Sequence, residues 1–287
     1  MPETTGPVIL TQDHAEMLAR FLATRPESSL LLLSNVLSAG LEDGGGPFQG
    51  TYAAYLENGE IAGVAAHYRN GMVVLLAPEN APGLLRAAAA ASGRGVSGIA
   101  GPYDQVRQAL PDVLRTGRRP AMDGREVLYS LHLDALAVPD LLLGGDVTCR
   151  RPLDDEIPVL VEVRVAFMRE HLGPQMRASH ENEAREAVGR QQRANDLRVL
   201  ETAGEVVATA AITAGIPGMV QVGSVYTRPE HRCRGYGRAV VAGLLLEARA
   251  RGTRQAILFT GTEMPAARRA YTALGFRPIG EYGLVLF

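Results

Sequence analysis

The sequence predicts an α+β protein, of the α/β mixed-sheet type, built from two domains. Its 287 residues compare with roughly 150 for an average domain. Hydrophobic residues make up 46% and charged residues 21%, a balance that supplies packed cores. One order of elements is legible in both halves: helix, hairpin, strand, helix, strand, helix, strand. That repetition suggests an internal duplication.

In the first half, a helix at 27–39 precedes strands at 51–57 and 61–67, joined through Asn58-Gly59, a strong hairpin signal. A strand at 72–76, a helix at 80–92 and a short strand near 97–100 follow. A helix near 103–110 and a strand near 126–132 complete the half. The GGGP at 44–47 reads as an internal loop. The linker is expected between Pro139 and Thr148, where LLLGGDVT interrupts the pattern, giving domains of 1–143 and 144–287.

In the second half, residues 154–172 and 178–193 are helical by pattern, rich in Glu and Arg, and Gly173-Pro174 breaks them apart. Strands at 197–202 and 206–213 form a hairpin around Ala203-Gly204. A third strand, 219–227, leads through RPEHRCRGYG into a helix from about 235 to 251. Val241, Leu244, Leu245 and Ala248 fall at i, i+3, i+4 and i+7 there, one apolar stripe for a sheet. Residues 256–260 read as a buried strand. A helix at 265–274 has Pro265 in its first turn and Gly275 at its end. GLVLF, 283–287, closes as a strand.

Composition excludes several classes. The net charge of −2 offers nothing global to nucleic acid or an anionic membrane, so neither is an expected partner. The N-terminus MPETTGPVIL has no basic n-region or apolar h-region, and apolar runs fall short of the roughly 20 residues that span a bilayer. A cytoplasmic location is expected. Cys149 and Cys233 form no C-x-x-C pair, and the six histidines form no H-x-x-x-H pair, so no metal is expected. Every basic residue is arginine. Without lysine there is no Walker A loop, no pyridoxal Schiff base and no lysine-dependent aldolase.

Chemistry concentrates between the strand 219–227 and the helix after it. A helix N-terminus presents unpaired N–H groups and roughly half a positive charge. Gly235 and Gly237 let backbone approach a ligand closely. Arg232, Arg234 and Arg238 add forked donors suited to phosphate oxygens. The turn suits a pyrophosphate. A Rossmann fingerprint does not fit, because no third glycine follows and the strand 256–260 holds no carboxylate. The first half has APENAPG at the corresponding place, with neither arginine nor G-x-G.

The stretch from Val225 through Arg228-Pro229 to Gly237, its helix, and ARRAYTALGF at 267–276 resemble the GCN5-related N-acetyltransferase (GNAT) superfamily over roughly 154–287. The resemblance implies two tandem GNAT-like domains, each a mixed, mostly antiparallel sheet flanked by helices, with a degenerate N-terminal copy. It implies transfer of an acetyl group from acetyl-CoA, as cosubstrate, to a small-molecule or peptide amine. The backbone of Val225 and Thr227, flanking Tyr226, would pair with the pantetheine amides. The amides of Cys233, Arg234, Gly235, Tyr236 and Gly237 would meet the pyrophosphate, with Arg232 and Arg238 nearby. Tyr271 would protonate the departing thiolate, although it also belongs to an apolar stripe with Ala267, Ala270 and Leu274. Met264 stands where relatives commonly carry asparagine.

Acceptor recognition is expected on the 154–193 helices. Arg164, Glu170 and His171 could face the cleft, but read first as a charged, solvated helix face; Glu181, Glu183 and Glu186 read as exposed surface. Gln221 occupies the place of a catalytic glutamate in some histone-modifying relatives, and Glu170 is the remaining candidate base. The chain is expected as monomer or homodimer. A non-catalytic acyl-CoA-binding or scaffold protein is the rival class.

Overall fold

The computed structural model describes residues 6–172 and 178–287. The Gly173-Pro174 break and the His171 side chain lie outside the described residues. In chain order the first half runs β1 (Val8–Ile9), α1 (Ala15–Ala23), α2 (Pro26–Ala39), β2 (Gly50–Glu57), β3 (Glu60–Tyr68), β4 (Met72–Leu76), α3 (Ala81–Ser92), β5 (Gly98–Pro102), α4 (Tyr103–Leu114) and β6 (Met122–His132). Then come α5 (Asp140–Leu143), β7 (Thr148–Arg150), α6 (Ile157–Leu172), α7 (Ala178–Arg193), β8 (Leu197–Thr202), β9 (Glu205–Ile216) and β10 (Met219–Thr227). The chain closes with α8 (Tyr236–Ala250), β11 (Gln255–Gly261), α9 (Pro265–Ala273) and β12 (Arg277–Leu286). Each half repeats strand, two helices, hairpin, strand, helix, strand, helix, strand.

The expected order therefore appears twice, with additions. Helix α1 was not read from the sequence, although Leu18 and Leu22 stand one helical turn apart and are both fully buried. Strands β1 and β7 are too short for alternation to reveal, and α5 occupies the region expected to be linker.

The chain divides into two units, residues 1–128 with 280–287, and residues 129–279. This differs from the expected division at 143/144, for a physical reason. The terminal strand pairs within the first unit: Tyr282 to Leu286 run antiparallel to Pro102 to Gly98 of β5.

In the first unit β1, β2, β3 and β4 are antiparallel neighbours, and β4 runs parallel to β5. Ala53, Val73, Leu75, Leu84, Ile99, Val106 and Val285 fill its core. In the second unit β7, β8, β9 and β10 are antiparallel neighbours, and β10 runs parallel to β11. The α8 stripe expected from periodicity is realised, since Val241, Leu244, Leu245 and Ala248 are fully buried. On the opposite side α6 and α7 place Leu160, Val161, Ala184 and Val188 against Leu197, Val199 and Ala211. One fixed strut joins β8 to α8. Arg198, 1% exposed, donates to the Glu247 carboxylate and to the carbonyls of Asn195 and Leu197, which satisfies a charge that burial would otherwise penalise.

Candidate active site

Strands β10 and β11 are registered only over Met219–Gln255, Val220–Ala256 and Gln221–Ile257. Beyond Gln221, β10 keeps its partner β9 on one edge alone. Two shifts in register lie on that edge, after Gln221 and after Gly223. At the second, Ser224 takes a left-handed φ of 54°, the geometry of a β-bulge, which bends and twists its strand. Arg228 N–H donates to Val207 O at 3.1 Å, toward β9. By alternation, the main-chain groups of Thr227 and Val225 point the other way, to the open edge. That is the edge along which an amide-bearing ligand adds as an extra strand.

The turn after β10 gathers donors and positive charge. Gly235, the N-cap of α8, has a φ of 82° and offers no side-chain cap. The first bond of the helix runs from Ala239 N–H to Gly235 O at 3.0 Å, so the amides of Tyr236, Gly237 and Arg238 stand ahead of the helical ladder. A Cβ on residue 237 would lie 3.2 Å from Thr227 Oγ1, so glycine lets the helix start close against the strand end. Cys233 also lies in the left-handed region, at φ 63°, and its side chain is exposed. Arg234 is exposed, and Arg238 Nε is buried without a partner among the described residues. Free amides, a positive helix end and two arginines fit a pyrophosphate.

Arg232 behaves differently from its neighbours. Its guanidinium grips both oxygens of Glu170 at 2.7 and 2.9 Å, donates to Thr227 O at 3.1 Å and lies 5.4 Å from the centre of the Tyr226 ring. Its charge is already matched. Tyr226 donates its hydroxyl to the same carboxylate at 2.8 Å, and burial, then Glu170, raise the Tyr226 pKa above its ordinary value.

Glu170, the candidate base, and Gln221 are both engaged in hydrogen bonds. The oxygens of Glu170 accept from Arg232 and Tyr226, so this residue braces α6 against the turn. The amide of Gln221 donates to Thr213 Oγ1 at 2.9 Å. Tyr271, 9% exposed, packs its ring against Tyr129 and Phe276, with centroids 6.5 and 6.1 Å away. It thus keeps its place in the apolar stripe of α9. Met264 is the N-cap of that helix and makes no side-chain cap.

Expectation fails most clearly at Arg164. In place of a solvated position, it lines a shallow cleft with Leu160, Val163 and Phe167. These four fall at i, i+3, i+4 and i+7, so the arginine shares the buried face of α6. An arginine interrupting an apolar helical stripe was the signal that could have revealed it. Glu181, Glu183 and Glu186 are exposed as expected. Glu205, Glu230 and His231, not singled out in the sequence, bring ligand atoms within 4.8 Å of one another. Glu205 there pairs with Arg228 and His231, at 3.3 and 3.2 Å. Among the described residues no helix is long and apolar enough to cross a membrane.

In sequence, residues 165–276 match the acetyltransferase (GNAT) family. No curated protein matches the chain. In structure it is similar to a Drosophila protein, with a TM-score of 0.69, 13% identity and 98% of each chain covered. It is also similar to a GCN5-related N-acetyltransferase from Sphaerobacter thermophilus, with a TM-score of 0.60, 17% identity, and 97% of this chain and 94% of that one covered. A tandem GNAT protein from the clavulanic acid biosynthesis pathway superposes with a TM-score of 0.51 and 14% identity, over 99% of this chain and 98% of that one. At such identities the likeness is one of fold. Family and fold together imply acyl transfer from an acyl-CoA. Residues 165–276 thus match the GNAT acetyltransferase family in sequence, and the chain has the fold of tandem GNAT proteins.

Proposed function

We propose that the protein transfers an acetyl group from acetyl-CoA to a primary amine by direct attack in a ternary complex. One juxtaposition supports this: the uncapped amides of Gly237 and Arg238 adjoin the open edge of β10, where the strands part after Gln221. Amides and arginines of the turn would hold the pyrophosphate, while Val225 and Thr227 pair with the pantetheine arm. The amine nitrogen then attacks the thioester carbonyl carbon. The C–S bond breaks, and Tyr271 donates the proton that the thiolate takes.

The acceptor amine follows from the missing base. A lysine side chain with a pKa of about 10.4 costs about 4–5 kcal/mol to deprotonate at pH 7, whereas an α-amine near pKa 8 costs about 1 kcal/mol. With Glu170 and Gln221 both engaged, the acceptor is a weakly basic amine that loses its proton to water.

Mass spectrometry of acetyl-CoA turnover against a panel of α-amines and lysine side chains tests both points. The expected outcome is N-acetylated α-amine with release of free coenzyme A. Tyr271→Phe should slow turnover by roughly 10²- to 10⁴-fold without weakening acetyl-CoA binding in calorimetry. Tight binding with no turnover of any amine would instead mark an acyl-CoA-binding protein. Met264 and the engaged Glu170 are the features that favour that second reading. Efficient acetylation of lysine side chains at neutral pH, surviving Glu170→Gln, would show that a base acts elsewhere.

A further inference from the structure

The cleft beside the bulge of β10 contains a cation with no counter-ion among the described residues. Its lining is mixed, with Leu160 and Phe167 from α6, Val188 from α7 and Leu197 from β8 beside the polar Gln191, Thr209 and Tyr226. Arg164 enters from α6 and donates to the hydroxyl of Ser224. Its guanidinium lies 5.3 Å from the centre of the Phe167 ring. Its Nε is buried and has no partner among the described residues.

The acidic residues nearby are accounted for. Glu170 is held by Arg232 and Tyr226. Glu162, Glu181, Glu183 and Glu186 are exposed, and residues 171–179 include neither Asp nor Glu. Burial alone, with no carboxylate opposing it, pulls the Arg164 pKa below the ordinary arginine value. A neutral hydroxyl and an aromatic face compensate a buried guanidinium poorly, since a charge taken from water needs an opposite charge and filled hydrogen bonds. A purely structural role would be served better by a leucine in this stripe.

We propose that Arg164 binds a carboxylate of the acceptor, so that the substrate is an amino acid or a similar small amine carrying a carboxylate. This rests on the amine-acetylation reading above. One guanidinium supplies one charge and a fork that matches a carboxylate's two oxygens. Ser224, which Arg164 already touches, directly precedes Val225 on the edge assigned to the acyl arm. An amine one carbon from the bound carboxylate therefore lies beside that edge.

The test compares each standard amino acid with its decarboxylated amine as acceptor, using the full chain and its Arg164→Gln and Arg164→Lys variants. The wild type should favour the preferred amino acid over its decarboxylated amine by about 10- to 100-fold in kcat/KM, the range for a charge-assisted hydrogen bond. The loss should fall on KM more than on kcat. In Arg164→Gln the preference, taken on kcat/KM corrected for the fraction of unprotonated amine, should shrink to about threefold or less, while acetyl-CoA affinity holds. Arg164→Lys should recover part of it by restoring charge without the fork. Equal use of the decarboxylated amines by the wild type would overturn the proposal, as would a preference that survives Arg164→Gln.

Calorimetry with the same amino acids, without acetyl-CoA, separates this proposal from the reading beneath it. Amino-acid binding that disappears in Arg164→Gln supports the carboxylate site even where no amine is acetylated. Absence of both turnover and amino-acid binding, in a protein that still binds acetyl-CoA, would overturn it.

Discussion

The turn from β4 into α3 and the turn from β10 into α8 occupy the same place in their respective units, and their donors are spent in opposite ways. Both helices start from a left-handed N-cap, Asn80 at φ 52° and Gly235 at φ 82°. In the first unit Asn80 Oδ1 accepts from Gly83 N–H at 3.2 Å. Pro82 stands at the second helical position and has no N–H to give. Ala77 N–H, just past the end of β4, donates to the Gln105 side chain at 2.6 Å. In the second unit the same helix positions are Gly237 and Arg238, whose amides remain ahead of the helical ladder. Similar backbone thus serves structure in one copy and is open to a ligand in the other. The difference between them is a few side chains that consume donors.

The largest effect is expected where the second turn is broken outright. Gly235→Asp combines a side chain that can cap the free helix donors with a negative charge beside the phosphate site. Acetyl-CoA affinity in calorimetry should fall by about 10²-fold, at about 1.4 kcal/mol per decade. An unchanged affinity would remove the pyrophosphate from this turn.

Next comes the first unit's closed donor. Gln105→Leu leaves the Ala77 N–H buried and unpaired, at about 1–3 kcal/mol. Thermal melting should shift down by a few degrees, at about 2–4 °C per kcal/mol in a protein of this size. Acetyl-CoA affinity should not change. Weaker binding would mean that the first unit contributes to the cofactor site.

A transplant sharpens the comparison. Gly235→Asn installs in the second turn the residue that caps the first, and asparagine tolerates the left-handed region. It should occupy the Arg238 amide and weaken acetyl-CoA binding by about 10-fold, at about 1.4 kcal/mol, with a small gain in melting temperature. Loss of stability, or no loss of affinity, would show that the asparagine cap does not explain the difference.

The smallest effect is the reverse change. Asn80→Ala removes a cap, at about 1 kcal/mol of stability, yet Pro82 still denies the helix its second donor. Titration should therefore show a single acetyl-CoA site, as in the wild type. A second site would mean that the cap alone had silenced the first copy. Cutting the chain at 143/144 does not make a fair version of this test, because it strips β5 of its partner at 282–286.

By itself the sequence determined the hairpins, the α8 stripe and the arginine–glycine turn. Each is specified within about ten residues, by positive-φ glycines, by helical spacing and by the free donors at a helix start. It also exposed the loss of that turn in the first half, since APENAPG lacks both the arginines and the G-x-G. Only the tertiary structure decided that Arg232 is matched by Glu170, which stands 62 residues earlier. It alone assigned residues 280–287 to the first unit. It also turned Arg164 from an expected solvent-facing charge into a half-buried one whose Nε is shut off from water. Local spacing shows which face of a helix is apolar. Whether a charge on that face meets water, a carboxylate or an open cleft depends on elements distant in the chain, and burial makes that choice energetically large.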